Sequence, residues 1–100
     1  MMADFNVEVA TDGLVKIGGV LDLSTVQVLK KQTIGLFNGP SEIQFDLSAV
    51  SQSNSAALAL MLEWLKIAQK HQVSLTFSNF PEHLLQLASV YGIEQDLNII

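Results

Sequence analysis

The sequence contains neither cysteine nor arginine, and each absence removes a class of function. Without cysteine the chain has no disulfide scaffold, no thiolate metal site and no cysteine nucleophile. Arginine is the side chain best suited to bind phosphate. The chain has five lysines against ten aspartates and glutamates, which gives a net charge of −5. Because nucleic-acid-binding domains normally have a basic surface, we expect no nucleic-acid partner. The composition suits a reducing cytosol.

Long hydrophobic runs are missing as well. The longest unbroken apolar run is Ala56–Leu62, seven residues, whereas a membrane-spanning helix needs about 20. The opening residues, MMADFNVEV, contain neither a basic segment nor an apolar core, so a signal peptide is not predicted. We expect a cytoplasmic protein that does not insert into a membrane and reaches one only through a partner.

The chain has ample material for a folded core. Hydrophobic residues make up 49% of it and charged residues 15%, where about 25% charged is usual. A disordered chain needs the opposite balance. Since no linker or repeat divides the 100 residues, residues 1–100 are predicted to form a single domain.

The N-terminal region has the pattern of a β-hairpin. Apolar and polar residues alternate over Phe5–Val9, as in a half-buried strand. Asp12–Gly13 is a turn dipeptide that leads into a second strand at Leu14–Ile17. The pair Gly18–Gly19 is expected to end that strand.

Three helices and two further strands follow. We predict a helix that starts with a Ser24–Gln27 capping box and ends at Asn38–Pro40, a strand at Glu42–Leu47, a polar loop at Ser48–Asn54, a helix at Ser55–Gln72, a strand at Val73–Phe77, and a helix capped by Asn79 that stops at Gly92. The order β-β-α-β-α-β-α contains strand–helix–strand units, which pair in parallel with right-handed crossovers. The predicted fold is therefore α/β: a mixed four-stranded sheet that opens with an antiparallel hairpin and has the helices packed on it.

The residue types used in catalysis are present but not arranged for it. Neither His71 nor His83 has an acidic partner at metal-binding spacing, so both are predicted to be solvated surface residues. The chain contains no GxSxG nucleophile elbow and no glycine-rich phosphate loop. We expect no enzymatic activity, no metal and no cofactor.

The most informative stretch is Asp46–Leu58. It places Ser51, Ser53, Asn54 and Ser55 around the start of the second helix. Unpaired backbone amides at such a start favour a capping side chain or an anion. One capping residue within an ordinary loop is the simpler interpretation, and a binding surface is the other.

The second helix also carries an apolar flank beside its core-facing stripe. Ala56, Leu60, Trp64 and Ile67 fall between that stripe and the charged face. Either a neighbouring helix covers part of this flank, or the flank is an exposed strip with a tryptophan, a residue enriched at interface hot spots. In the second case the strip and the helix start form a protein-docking surface, and the same strip could serve a dimer.

Two motifs resemble the STAS family, which includes anti-sigma-factor antagonists and the cytoplasmic tails of sulfate transporters. Asp46–Leu58 resembles the family signature, in which a strand ends near DLS and D-S or D-T opens a helix. Gly19–Asp22 is similar to the family's G-x-L-D after the second strand. The resemblance covers essentially the whole chain and implies the STAS-like, or SpoIIAA-like, fold.

One branch of the family implies a signalling role. Anti-sigma-factor antagonists are switched by phosphorylation of a serine in a D-S-S-G helix start, by a kinase that is also the anti-sigma factor. The corresponding residues here put Asn54 at the acidic position and Ala56 at the phosphoacceptor position. Alanine has no hydroxyl, so this role requires Ser55 or Ser53 as the phosphoacceptor.

The other branch implies a transport role. The stretch Ser55–Leu62 resembles the helix start D-T-G-G-L-A-L-L-L of MlaB-type subunits of phospholipid ABC transporters, and Leu87–Ile93 is similar to their L-A-K-L-Y-N-L. The implied partner is the MlaF-like ATPase subunit, together with the permease of the same complex. The protein would then be cytoplasmic but peripheral to the inner membrane. The predicted partner-binding residues are Ser53, Asn54, Ser55, Ala56, Leu60 and Trp64. A small-ligand sensor is a third hypothesis, with no motif of its own.

Overall fold

The computed structural model describes residues 4–11 and 13–100. The strands are β1 (Phe5–Thr11), β2 (Leu14–Leu21), β3 (Glu42–Ser53) and β4 (Ser74–Ser78). The α-helices are α1 (Val26–Thr33), α2 (Ser55–Lys70) and α3 (Glu82–Val90), and short 3₁₀ helices span Ile34–Asn38 and Glu94–Asp96. The order of strands and α-helices is the predicted one. The turn residue Asp12 lies outside the described residues.

The four strands form one mixed sheet in the order β1-β2-β3-β4. β1 pairs antiparallel with β2, whereas β2 with β3 and β3 with β4 pair in parallel. α1 connects the first parallel pair and α2 connects the second. The predicted α/β architecture is therefore confirmed.

The two faces of the sheet differ in polarity, because successive side chains of a strand point to opposite faces. The register aligns Val15, Phe45 and Phe77 across three strands, and all three are buried. The opposite face carries a polar row across all four strands, formed by Glu8, Lys16, Asp46 and Ser78. The apolar face therefore forms the floor of the core.

Trp64 of α2 lies at the centre of this core. Its side chain is fully buried, and its ring meets Phe45 edge to face with 4.7 Å between centroids. The indole Nε1 donates a hydrogen bond of 2.8 Å to Thr33 Oγ1, at the end of α1. A buried indole N–H needs such a partner, so this bond joins α1 to α2 without an unsatisfied donor.

Gly18 and Gly19 lie inside β2, so the expected end of the strand at this pair is wrong. The register between β2 and β3 shifts between Gly19 and Val20, as in a β-bulge, and the strand continues to Leu21. Gly19 has φ of +88°, and a Cβ there would lie 2.6 Å from the Cα of Phe5. The glycines therefore allow a bulge and a close approach of β1 rather than a strand end.

β3 is also longer than predicted. The stretch 48–53 was expected to be a loop because it is polar, yet Ala49 pairs with Gly18 and Ser53 pairs with Leu21. Most side chains of this stretch are exposed, so the hydrophobic pattern gives no sign of the strand. The extension delivers Ser53 directly to the start of α2.

Two helix starts differ from the predicted capping patterns. α1 begins at Val26 with Thr25 at the N-cap position, while Ser24 donates through its N–H and its Oγ to Asp22 Oδ1, at 2.9 and 2.6 Å. α3 begins at Glu82 with Pro81 at the N-cap position, while Asn79 Nδ2 donates to Asp46 Oδ1 at 3.0 Å. In both places the expected capping side chain is engaged by a nearby aspartate.

The helix ends also shift by a few residues. α1 ends at Thr33 and tightens into the 3₁₀ helix Ile34–Asn38, where a single helix was predicted. Thr33 Oγ1 donates to Leu29 O at 2.9 Å, a side-chain bond to the preceding turn that often accompanies a bend. α2 stops at Lys70, two residues before the predicted end.

Candidate protein-docking site

The β3–α2 junction, here residues 53–56, lies at the carboxyl edge of the three parallel strands, which is where α/β folds usually place binding residues. A single residue, Asn54, separates β3 from α2. Its N–H donates to Leu21 O at 3.4 Å, which ties the junction to the end of β2. Three elements therefore fix the position of the predicted site.

Asn54 caps α2. Its Oδ1 accepts from the Ala56 N–H at 2.9 Å, and its backbone oxygen accepts from the Ala57 N–H at 2.9 Å. An amide oxygen accepts this bond as a carboxylate does, so asparagine keeps the helix start where the resembled motif has an acidic residue. The simpler interpretation, in which one residue of the stretch caps the helix, is thus confirmed for Asn54.

We expect Asn54→Ala to lower the free energy of unfolding by about 1 kcal/mol, because the Ala56 N–H loses its acceptor. Asn54→Asp is the matched control and should stay within about 0.5 kcal/mol of the wild type, since the carboxylate accepts the same bond. Urea denaturation followed by far-UV circular dichroism measures both. An equal loss in the two variants would contradict the capping role.

Ser55 is the most accessible hydroxyl of the junction. It is exposed at the first position of α2, whereas Ser53 is half-buried and Ala56 is half-buried behind it. Within residues 4–11 and 13–100, the Ser55 hydroxyl makes no hydrogen bond to another group. Ser55 is therefore free to contact a partner or to be modified.

His83 is also part of this site, and the sequence analysis did not predict its contribution. Its Nε2 lies 2.9 Å from Ser53 Oγ and 2.9 Å from Ser53 O. The side chain is exposed, as predicted, but it also links the first turn of α3 to the end of β3. The predicted topology could have indicated this contact, because α3 starts at the same edge of the sheet at which β3 ends.

Leu60 and Trp64 do not lie on an exposed strip, so of the two interpretations of this flank the covered one is confirmed and the prediction that Trp64 binds a partner is wrong. Leu60 is 4% exposed and Trp64 0% exposed, because α1 packs against this side of α2. The helical pattern set Trp64 beside the core-facing stripe, whereas its ring packs on Phe45 and Phe77 of the sheet, so Trp64 belongs to the core face of α2. Trp64 therefore cannot contact a partner and offers no surface for a dimer, whereas Leu60 reaches the surface only as part of the wall of a groove.

A shallow groove of about 210 Å³ remains between α1 and α2, beside the junction. Its walls are Leu23, Val26, Gln27 and Lys30 on one side and Ala56, Ala59, Leu60 and Glu63 on the other. Leu23 stands at its rim with 82% of its side chain exposed. The sequence analysis did not identify this leucine as a candidate. The available signal was an apolar residue in the short turn between the second strand and the first helix.

Two charge features frame the groove. Lys30 Nζ lies 3.5 Å from Glu63 Oε2, so this pair crosses from α1 to α2. At the other end, the pKa of Asp22 is held below its usual value because the Ser24 hydroxyl and N–H donate to its carboxylate. Asp22 is therefore a fixed negative charge beside Leu23 at neutral pH.

Asp46 is a second ionised carboxylate near this edge of the sheet. Its pKa is lowered first by the hydrogen bond from Asn79 and then by the N–H of Ser48. The Asn79 contact joins β3 to the loop that enters α3. Asp46 therefore has a structural role, since it holds the loop that leads into α3, the helix that carries His83.

Features of other site classes are not found in the described part of the chain. Residues 4–11 and 13–100 contain no group of three or more His, Asp or Glu side chains placed to hold a metal ion. Among the same residues, no helix combines the length and the apolar character needed to cross a membrane.

Comparison with known proteins identifies the family. The family model described as "Mlab, STAS domain" matches residues 7–100. The chain belongs to the STAS family. STAS domains of this kind are non-catalytic modules that bind other proteins, which agrees with the prediction of a non-enzymatic role.

Individual relatives of this STAS domain are distant. An anti-sigma-B factor antagonist of Bacillus subtilis (strain 168) is 26% identical over 85 residues, which cover 85% of this chain and 78% of that protein. The solved structure of the anti-sigma factor antagonist SpoIIAA in its unphosphorylated form superposes with a TM-score of 0.74 at 16% identity, over 96% of this chain and 85% of that one. An antagonist from Mycobacterium paratuberculosis gives 0.73 at 22% identity, over 95% and 82% of the two chains. These structures establish the shared fold.

Proposed function

We propose that this STAS domain is a non-catalytic subunit that binds the ATPase subunit of a phospholipid-transporting ABC complex. Through that partner it supports assembly or activity of the ATPase and sits at the cytoplasmic side of the inner membrane, next to the permease. The proposal draws on the resemblance of Ser55–Leu62 to the helix start of MlaB-type subunits and on the match of residues 7–100 to the model of that name.

The observation that carries the proposal is the accessibility of Ser55 on a rigid junction. The strand β3 leads into α2 through one residue, and Asn54 caps the helix while bonding to the end of β2. The backbone at Ser55 is therefore held in place by its neighbours, while the Ser55 side chain is exposed. A small residue here permits close approach of a partner backbone, and a long charged side chain would obstruct it.

We expect Ser55→Arg to weaken binding to the ATPase subunit at least tenfold, a loss of about 1.4 kcal/mol or more. Ser89→Arg is the matched control, because Ser89 is an exposed serine on α3 away from the junction. Isothermal titration of each purified variant into the purified ATPase subunit measures the affinity. If Ser55→Arg and Ser89→Arg bind equally well, the junction is not the contact surface.

A signalling role is the second candidate, and one observation favours it. The Bacillus subtilis relative is an anti-sigma-B factor antagonist, and Ser55 is exposed at the helix start as a phosphoacceptor would need to be. Ser53 is less suited, because its hydroxyl is half-buried against His83 Nε2. In this role a serine kinase would phosphorylate Ser55, and the added charge would break the contact with that partner.

Incubation with the candidate kinase and ATP separates the two roles. The signalling role requires phosphate on Ser55 or Ser53, located by mass spectrometry and abolished in the matching alanine variant. The transporter role expects neither serine to be modified and expects binding of the ATPase subunit by the unmodified protein. A titration with nucleotides and lipids tests the small-ligand hypothesis, which a flat response would remove.

A further inference from the structure

The carboxyl edge of the sheet, with the helix starts beside it, carries charge of one sign. We call this edge the docking end and define it by residues 4–5, 21–28, 51–58 and 79–84. Its ionisable acids are Asp4, Asp22 and Glu82. Within the same described segments there is no lysine, since the five lysines of the chain lie at position 16 in β2 and in the later turns of α1 and α2. The docking end is therefore acidic, and the lysine that lines the adjacent groove, Lys30, does not offset this charge because it is paired with Glu63.

An exposed leucine belongs to this acidic end, next to Asp22. Leu23 is 82% exposed, and its neighbour Asp22 is held as a carboxylate by two hydrogen bonds from Ser24. Thr25 Oγ1 accepts from the Asp22 N–H at 3.0 Å and donates to Val20 O at 2.8 Å, so the turn that carries Leu23 is bonded on both sides. A large apolar side chain on such a fixed turn has the form of an interface anchor.

The charge around Leu23 indicates what kind of partner can bind there. A second copy of this chain would bring the same three carboxylates against each other, and an anionic lipid surface would repel them as well. A protein face with lysine or arginine around an apolar pocket complements them instead. The groove beside Leu23 adds an apolar floor from Val26, Ala59 and Leu60 for a side chain of the partner.

We propose that Leu23 inserts into an apolar pocket on the ATPase subunit, and that basic residues around this pocket pair with Asp22 and Glu82. This inference rests on the proposed function and extends it from the β3–α2 junction to the β2–α1 turn. In this proposal Leu23 contributes to the affinity for the ATPase subunit, whereas Asp22 and Glu82 raise the association rate. Charges at the rim of an interface mainly steer association.

The test compares two exposed apolar residues. Leu23→Ser should weaken binding to the purified ATPase subunit at least tenfold, whereas Val90→Ser, which alters a side chain 79% exposed at the end of α3, should change it less than twofold. Asp22→Asn combined with Glu82→Gln should slow association severalfold at 50 mM salt. That difference should shrink at 500 mM salt, because the screening length falls below about 5 Å. Thermal melting checks that every variant is folded.

The outcomes distinguish this inference from the proposal on which it rests. If the wild type binds and Ser55→Arg does not, but Leu23→Ser binds like Val90→Ser, the Leu23 anchor is wrong and the ATPase partner stands. If association of the charge variant is unchanged at low salt, the basic complement is wrong. If the wild type fails to bind the ATPase subunit at all, the proposed function and this inference are both overturned.

Discussion

Replacing Trp64 by alanine is expected to lower the free energy of unfolding by about 3–5 kcal/mol, the range found for large aromatic-to-alanine changes in cores. The side chain is fully buried and packs on Phe45 and Phe77 across the floor of the sheet. The same change also leaves Thr33 Oγ1 without its hydrogen-bond donor, Trp64 Nε1. Since domains of this size are typically stable by about 5–15 kcal/mol, the variant keeps only a small margin.

Urea denaturation followed by far-UV circular dichroism is the appropriate measurement, because the substitution removes the single tryptophan. Tyr91→Ala is the matched control: this aromatic is 56% exposed, and its removal should cost less than about 0.5 kcal/mol. Trp64→Phe should fall between the two, since it keeps the ring contacts and loses the bond to Thr33. A cost below about 1 kcal/mol for Trp64→Ala would mean that the flank of α2 is exposed after all.

Gly19→Ala is expected to cost about 3 kcal/mol or more, although it adds only one methyl group. The backbone of Gly19 has φ of +88°, and the added Cβ would collide with the backbone oxygen of Asp4 and the Cα of Phe5. These are backbone atoms at the start of β1 and of the residue just before it, so they cannot move aside by rotating a side chain. Relief therefore requires part of the β1–β2 pairing to break.

Two other glycines separate the contributions to this effect. Gly92→Ala should cost about 1 kcal/mol, because its φ is +71° but nothing lies within 4 Å of the added Cβ. Gly35→Ala meets nothing within 4 Å and has an ordinary φ, so it should be neutral or slightly stabilising. Thermal unfolding of the three variants gives the comparison. Equal losses at Gly19 and Gly92 would show that β1 does not approach β2 as closely as described.

The order of the elements could be predicted from the sequence because each element has a local cause. Alternating residues mark β1, and apolar residues at helical spacing mark α2. The extension of β3 over residues 48–53 could not be predicted in this way, because its pairing with β2 uses backbone groups while its side chains face solvent. The role of Gly19 also depends on other strands, because its bulge lies in the pairing with β3 and its backbone is approached by Phe5 of β1.

In the candidate site, too, contacts between sequence neighbours could be predicted and contacts between distant residues could not. The capping of α2 by Asn54 is a contact between neighbours in the sequence, and the sequence predicted that one of the polar residues there would cap the helix. The burial of Trp64 depends on where α1 crosses the sheet, and the contact of His83 with Ser53 spans 30 residues. Helical periodicity specifies the direction in which a side chain points but not what it meets. Hence the sequence could name the junction as a candidate, whereas Leu23 and His83 became candidates only in the folded structure.

The most direct test of the proposed partner is a pull-down of the tagged protein from its native membranes in mild detergent, with partners identified by mass spectrometry. A Ser55→Arg bait serves as the matched control. The account predicts that the wild-type bait recovers an ABC ATPase together with its permease and that the variant recovers neither. Recovery of a soluble serine kinase or anti-sigma factor in place of the transporter subunits would contradict it and would make the signalling role the leading hypothesis.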